Sequence, residues 1–260
     1  MPISLLKQKF IFILIIFTAL TACNQVGVSN QNIRASQTTN EVAAANLDLG
    51  IEYMKQGAYE NALKNLEKAR EADPGYAPTY NVLGLLYLRL GDSKKAEDNF
   101  KRALGLNNND SSTLNNYGSF LCQENRIDEA EKTFLKSAAN PLYETPEIAI
   151  TNAGLCLYNN NKEAEAENYF RQALELNPQM SQALIKMCEI SFNKPNYLSA
   201  RAYLQRYQQI SRHTAKSLWL GIQIEQALGD QDAVSSYVLL LKNTFPDSTE
   251  ATLLNESRIQ

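Results

Sequence analysis

Apolar and small residues recur along this chain at a nearly constant interval. Gly50, Gly84, Gly118 and Gly154 are separated by 34, 34 and 36 residues. A small residue lies 12 positions after each of these glycines, and a bulky apolar residue lies 16 positions after it. The bulky residues continue at the same interval along the chain: Leu66, Phe100, Phe134, Phe170, Leu204 and Val238. Self-similarity at this period indicates an array of stacked helix–turn–helix units.

Within each unit, the apolar residues predict two amphipathic helices joined by a short turn. Counting positions from the first residue of a repeat, positions 4, 7, 8 and 11 share one helical face. Position 15, between the helices, holds Gly57, Gly91, Asn125, Asn161 and Gly229, which suit a left-handed turn. The register predicts six repeats, 43–76, 77–110, 111–146, 147–180, 181–214 and 215–248, followed by a tail or capping helix at 249–260. Repeat 5 fits least well, because it has Cys188 at position 8 and Pro195 at position 15.

These positions resemble the tetratricopeptide repeat, in which small residues let the two helices of a pair approach closely. The resemblance implies an all-α fold, a right-handed superhelix with a concave and a convex side. A single 34-residue helix pair cannot bury its apolar face alone, so the six repeats are expected to stack into one continuous solenoid.

The N-terminal residues predict export and lipidation. Lys7 and Lys9 precede an apolar run at 10–20, which has the features of a signal peptide and is too short to span a membrane stably. The sequence Leu-Thr-Ala-Cys that ends at Cys23 resembles a bacterial lipobox. We therefore expect a signal peptide at 1–22, a diacylated Cys23, and a polar tether over 23–42. The alternative is an ordinary secretory signal with a chance cysteine. Because Asn24 follows the cysteine, the expected location is the periplasmic face of the outer membrane of a Gram-negative bacterium.

Composition argues against several classes of function. The 260 residues carry a formal net charge of −3 and a pI near 5.4, which disfavours nucleic-acid binding. His213 is the one histidine, and HExxH, GxSxG, GxxxxGK[ST] and CxxC motifs are absent from the sequence. We expect no enzymatic activity, no cofactor, no metal site and no small-molecule substrate.

The sequence favours a groove that binds a protein partner over an active site. Positions 2, 5, 9 and 12 of each first helix form a stripe opposite the predicted packing face. In repeats 1 and 2 this stripe is largely apolar, and a solvent-facing apolar patch is typical of a partner site. The predicted groove residues are Leu47, Ile51, Met54, Asn81, Leu85 and Leu88. The occupant is expected to be an extended or helical apolar protein segment. The alternative is that the preceding segment covers repeats 1 and 2, or that these residues cap the solenoid.

The remaining cysteines predict one disulfide. With Cys23 lipidated, Cys122, Cys156 and Cys188 remain, so one is left unpaired within the chain. Cys122 and Cys156 lie on neighbouring first helices, and we favour this pair because Cys188 occupies a small, buried position that suits an inert thiol. The competing pair is Cys156 with Cys188.

A lipobox, a polar tether and six tetratricopeptide repeats together resemble the type IV pilus biogenesis and stability lipoproteins of the PilF/PilW family. The similarity is most specific in residues 115–122 and 152–156, in the insertion at 141–146, and in the segment 217–222 around Trp219. The resemblance implies a pilotin, a lipid-anchored adaptor that binds the pilus secretin subunit and promotes its multimerisation in the outer membrane. Some family members are instead described as stabilising pili. Two alternatives are a repeat scaffold for outer-membrane protein insertion or cell-wall assembly, and a general periplasmic chaperone.

Overall fold

A computed structural model describes residues 40–257, which form thirteen α-helices and no strand. In chain order they are α1 Glu41–Lys55, α2 Tyr59–Ala72, α3 Ala77–Arg89, α4 Ser93–Leu106, α5 Ser111–Gln123, α6 Ile127–Ala138, α7 Pro146–Asn159, α8 Glu163–Leu176, α9 Ser181–Asn193, α10 Tyr197–Ile210, α11 Ala215–Leu228, α12 Gln231–Thr244 and α13 Thr249–Glu256. The first twelve pack as six consecutive pairs, and each pair contacts the next. This is the tetratricopeptide-repeat superhelix expected from the sequence.

First helices of neighbouring repeats contact one another directly. These contacts join α1 to α3, α3 to α5, α5 to α7 and α9 to α11. The first helices therefore lie side by side and line the concave surface.

A small residue opposite a large one brings each pair of helices together. A Cβ atom added to Gly84 would lie 2.7 Å from the ring of Phe100, and one added to Gly118 would lie 2.8 Å from the ring of Phe134. In repeat 5 the same position is filled by Cys188, and the facing residue is the smaller Leu204; both are buried in one cluster. The departure of repeat 5 from the pattern is therefore compensated in volume, as close packing of a protein interior requires.

The turns use the residue types that the sequence suggested, and aspartates cap several of the helices that follow them. Backbone φ angles are positive at the five turn residues that the sequence singled out, Gly57, Gly91, Asn125, Asn161 and Gly229. Asp92, Asp110 and Asp230 cap the following helices by accepting hydrogen bonds from main-chain N–H groups. These caps help to set the starts of α4, α5 and α12.

The N-terminal end of the solenoid differs from the predicted boundary, whereas the C-terminal end follows it. Helix α1 begins at Glu41, capped by Asn40, so the last two residues of the predicted tether are helical. At the other end α13 packs on α11 and α12 and buries Ala251 and Leu254, which makes it a capping helix. Cys23, the signal peptide and most of the tether lie outside the described residues, so lipidation stays a prediction. Over 40–257 no helix is both long and apolar enough to cross a membrane.

Candidate functional site on the concave surface

Position 5 of one repeat lies against position 6 of the next, and we call this line of contacts the concave seam. Asn116 donates from Nδ2 to Oδ1 of Asn81 over 3.0 Å, which joins α5 to α3. Asn152 donates from Nδ2 to Oδ1 of Asn115 over 2.9 Å, which joins α7 to α5. The equivalent residues between repeats 1 and 2 are Leu47 and Val82, which belong to one buried cluster. The seam therefore runs under the concave surface from the first repeat onward.

The seam corrects two of the predicted groove residues. Leu47 is 2% exposed and Asn81 is 1% exposed, so neither faces solvent as the sequence analysis supposed. The reason is that the first helix of the following repeat covers position 5. A helical-wheel argument treats each helix alone and cannot include this second neighbour.

The other four predicted groove residues remain accessible. Ile51 and Met54 on α1 are half-buried and pack against the core of repeat 1. Leu85 and Leu88 on α3 are half-buried as well and pack against the core of repeats 2 to 4. Because α1 and α3 are in contact, these side chains form one apolar surface, which we call the N-terminal groove.

A second set of half-buried apolar side chains lies at the same stripe positions in repeats 4 to 6, outside the predicted groove. It consists of Leu155 and Tyr158 at positions 9 and 12 of repeat 4, Ile185 and Phe192 at positions 5 and 12 of repeat 5, and Trp219 at position 5 of repeat 6. All five side chains are half-buried. We call it the aromatic surface. The offsets that identified the N-terminal groove would have found it, had they been applied to repeats 5 and 6.

One charged pair borders the aromatic surface. Lys186 Nζ lies 4.6 Å from the ring centroid of Tyr158 and 2.6 Å from Oε2 of Glu189. Burial, followed by the nearby Glu189 carboxylate, raises the pKa of Tyr158 above its ordinary value.

A disulfide crosses the middle of the concave side. Cys122 on α5 and Cys156 on α7 have their Sγ atoms 2.12 Å apart and their Cα atoms 5.9 Å apart. This is the pairing favoured from the sequence, and its formation in the oxidised protein stays a prediction. Cys188 is a free buried thiol, and burial raises its pKa to about 12. A thiol that stays protonated is unreactive.

The described residues offer no site for metal chemistry. Over 40–257 there is no group of three or more histidine, cysteine, aspartate or glutamate side chains arranged to hold a metal ion. On the concave side, the described residues form two apolar regions with polar residues between them.

Comparisons with known proteins agree with this architecture. Tetratricopeptide-repeat family models match residues 41–109, 81–144 and 148–180. The chain is 30% identical over 244 residues, 94% of its own length and 96% of the relative, to the type IV pilus assembly protein PilF of Pseudomonas aeruginosa. A solved structure of Pseudomonas aeruginosa PilF superposes with a TM-score of 0.76 at 30% identity, covering 84% of this chain and 98% of that one. The crystal structure of PilW, described as a widely conserved type IV pilus biogenesis factor, gives a TM-score of 0.73 at 31% identity, covering 83% and 99%.

Proposed function

The chain belongs to the PilF/PilW family of tetratricopeptide-repeat proteins, and we propose from that membership that it is a pilotin of type IV pilus biogenesis. In this role it binds the pilus secretin subunit and promotes its localisation and multimerisation in the outer membrane. The observation that carries the proposal is the N-terminal groove, an accessible apolar surface on a fold whose relatives take part in pilus assembly.

Binding is expected to be driven by burial of apolar area. Ile51, Met54, Leu85 and Leu88 are fixed by the helices beneath them, so they lose little side-chain entropy when a partner covers them. An apolar segment of a secretin monomer would otherwise be exposed and prone to aggregate. Covering that segment keeps the monomer soluble until assembly.

The acyl chains on Cys23 supply the second part of the mechanism. Two or more chains hold a protein on a membrane surface far more firmly than one. Adaptors held on the same leaflet raise the local concentration of bound secretin subunits, which favours ring closure without any new contact. No chemical step, cofactor or small-molecule substrate is needed.

The groove is tested by placing two carboxylates in it. We expect Ile51→Asp combined with Leu85→Asp to weaken binding of the purified secretin subunit at least tenfold, because two charges would have to be desolvated on docking. The matched control is Leu239→Asp with Leu253→Asp, two exposed leucines on α12 and α13. Unchanged subunit binding by the folded groove variant, with helicity verified by circular dichroism, would rule out the groove assignment.

The cellular role is tested by fractionating envelopes from cells with and without the gene and blotting for detergent-resistant secretin multimers. We expect multimers to be lost, or to be held in the inner membrane, when the gene is deleted. Cys23→Ser should keep subunit binding and lose outer-membrane delivery. If secretin multimers are unaffected by the deletion, the repeats serve a different partner.

A further inference from the structure

One edge of the solenoid carries a row of exposed aliphatic side chains, which we call the edge row. Leu142 lies in the loop between α6 and α7 and is 87% exposed. Leu176 is the last residue of α8 and is 56% exposed, and Ile210, also exposed, is the last residue of α10. All three lie where the second helix of a repeat leads into the first helix of the next one. Single exposed leucines are ordinary on a protein surface, but a row across three consecutive repeats indicates a contact surface.

Leu142 points outwards from an ordered loop. Seven residues, 139–145, connect α6 to α7, whereas four residues make each of the other connections between repeats. Asn140 Oδ1 accepts a hydrogen bond from the main-chain N–H of Leu142 over 3.0 Å, and the N–H of Tyr143 donates to the Asn140 carbonyl over 3.0 Å. Tyr143 is buried, so the loop is fixed on both sides of Leu142. Four residues suffice to join two repeats, and the longer loop adds an exposed leucine.

The chain enters the solenoid on this same edge. Asn40 caps α1, and its Nδ2 donates to the carbonyl of Ala72, the last residue of α2, over 2.6 Å. The end of a second helix and the start of a first helix therefore meet at the point of entry, as they do at the edge row. Helices of 14 residues, such as α4, are about 21 Å long, so the opposite edge lies roughly 21 Å farther away. A membrane that holds the N-terminus can meet the near edge without the tether passing around the solenoid.

The predicted lipid anchor allows the edge row to reach the bilayer. Cys23 precedes Asn40 by 17 residues, and a chain of that length spans at most about 60 Å. Packed helices lie about 8–10 Å apart, which places repeats 3 to 5 roughly 20–40 Å from repeat 1 along the edge. The leaflet that would hold the acyl chains is therefore within reach of all three side chains.

The opposite edge, formed by the turns within the repeats, matches a membrane less well. Its exposed leucines are Leu90 in repeat 2 and Leu198 in repeat 5. The turns of the two repeats between them carry the charged residues Glu124 and Lys162. Two leucines separated by charged turns do not form one apolar row.

The edge row is not a basic patch. Exposed Glu144, Glu175 and Arg212 lie beside it in sequence, so charges of both signs flank the aliphatic side chains. Attraction to anionic lipid is therefore a minor contribution, and apolar contact with lipid is the main one. Such a contact is little affected by salt, because salt screens charges.

We propose that this edge rests on the phospholipid surface of the membrane that holds the lipid anchor, with Leu142, Leu176 and Ile210 inserted among the headgroups. Apolar side chains in the headgroup region add to the attachment that acyl chains provide. The helices run from edge to edge, so they stand roughly upright on the membrane, and the N-terminal groove opens along the membrane surface. This inference rests on the lipidation of Cys23 in the proposed function, because it specifies how the anchored protein is oriented.

The first test measures the depth of the edge row with a fluorescent label. Leu142→Cys and, separately, Leu176→Cys are labelled with the dye NBD in the full lipidated protein, which is reconstituted into vesicles of phosphatidylethanolamine and phosphatidylglycerol. Labelling without reductant is selective, because Cys122 and Cys156 are paired and Cys188 is buried. The wild-type protein taken through the same labelling gives the background.

The matched control is Leu90→Cys, an exposed leucine on the opposite edge. We expect lipids with a doxyl quencher in the acyl chain to lower the emission of the Leu142→Cys and Leu176→Cys labels at least twofold, in low and high salt alike, and to leave the control label nearly unchanged. Equal quenching of the control label would overturn the inference. A blue shift of the Leu142→Cys label without quenching by lipid would overturn it too, since a protein contact, such as a second copy of this chain, would then cover the row.

The second test asks whether the leucines hold the edge on the membrane. A label on Ile210→Cys is followed in a protein that also carries Leu142→Asp and Leu176→Asp. We expect its quenching by doxyl lipid to fall at least twofold, because carboxylates must stay hydrated and cannot enter the apolar region. Leu90→Asp with Leu198→Asp is the matched control and should leave the quenching unchanged. Unchanged quenching in the folded edge-row variant, with helicity verified by circular dichroism, would rule out the contact.

These measurements separate the orientation from the anchor on which it rests. A wild-type protein that fails to sediment with the vesicles would overturn the lipid anchor, and the inference with it. A protein that sediments while its edge row escapes quenching keeps the anchor and overturns the orientation alone. Neither outcome concerns secretin binding by the N-terminal groove, which is tested with the purified subunit.

Discussion

An ion pair joins repeat 2 to repeat 3, and another joins repeat 5 to repeat 6. Both pairs use the same two positions, but the positive and the negative residue are exchanged. At the first, Glu97 at position 21 pairs with Arg126 at position 16 of the next repeat, over 2.6 Å. At the second, Arg201 at position 21 pairs with Asp230 at position 16, over 3.3 Å. The geometry is repeated and the polarity is reversed.

This reversal disfavours some alternative orders of the repeats. A solenoid in which repeat 6 followed repeat 2 would bring Glu97 against Asp230, and two carboxylates at that distance repel. Electrostatic matching at these positions therefore helps to specify the sequence of repeats in the stack.

The two junctions also differ in burial. Arg201 makes further hydrogen bonds to Glu225, one of them from Nε to Oε1 over 2.9 Å, and the Glu225 side chain is only 5% exposed. The Glu97 side chain is 24% exposed. A buried charge that loses its partner costs more than a partly hydrated one, so the C-terminal junction is expected to be the more sensitive.

The largest effect is expected from breaking the buried pair. Arg201→Met leaves Glu225 without its counter-charge and should lower the free energy of unfolding by about 3–5 kcal/mol, measured by urea denaturation at pH 7. Arg206→Met removes a half-buried arginine whose hydrogen bond to the Pro178 carbonyl is exposed, so this control should cost little. A loss below about 1 kcal/mol for Arg201→Met would show that Glu225 is well hydrated in solution.

A somewhat smaller effect is expected at the junction between repeats 3 and 4, where a covalent bond adds to an exposed ion pair of Lys162 with Asp128. The disulfide closes a loop with a sequence separation of 34 residues, which corresponds to roughly 3–4 kcal/mol by chain entropy. Cys122→Ser with Cys156→Ser should lower the thermal midpoint of the oxidised protein to that of the reduced one. Reductant should then have no further effect.

The disulfide can also be tested by counting the reactive cysteine thiols. The native protein should show no reactive thiol among Cys122, Cys156 and Cys188, and one reactive thiol after denaturation without reductant, because Cys188 is free and buried. Three reactive thiols under those conditions would contradict the disulfide.

The smallest effect is expected at the exposed junction, and it depends on pH. Hydrogen bonds from Arg126, and next from Lys101, lower the pKa of Glu97 from 4.5 to about 2 against the opposing effect of burial. A carboxyl group with a lowered folded-state pKa stabilises the protein above its unfolded pKa and loses that contribution as pH falls towards 2. Glu97→Gln should therefore cost about 1 kcal/mol at pH 7, and the difference from wild type should shrink between pH 4.5 and 2.

Exchanging the charges sharpens the comparison between the two junctions. Glu97→Arg alone should destabilise the protein, whereas Glu97→Arg with Arg126→Asp copies the Arg201–Asp230 arrangement and should recover most of the loss. If the double variant is no more stable than the single one, other neighbours, such as Tyr117, which donates to Glu97 over 3.0 Å, decide the polarity of this junction.

Much of the fold could be predicted because its signals are local and repeated. Each repeat has glycine or asparagine at its turn and a small residue facing a large one, as Gly118 faces the ring of Phe134. The same residue types return at a constant spacing, so each repeat supports the assignment of the next. The disulfide pair was also favoured from the register, which places Cys122 and Cys156 on neighbouring first helices and Cys188 at a small, buried position.

The candidate site was predicted less completely. Ile51, Met54, Leu85 and Leu88 lie where the stripe placed them, but Leu47 and Asn81 are buried. Their exposure depends on how closely the following repeat approaches, and no pattern within a single helix contains that distance. The charged junctions escaped detection for the same reason, because Glu97 and Arg126 are 29 residues apart in sequence.

The sequence by itself therefore determined the repeat, the helices and the turns, because each depends on backbone preferences and on packing within one helix pair. The tertiary structure decided which polar groups meet between repeats. It joined Asn115 to Asn152, set Arg201 beside the buried Glu225, and divided the concave surface into two apolar regions with amides between them. Such contacts depend on the angle and distance between neighbouring repeats, which arise only when the whole stack is assembled.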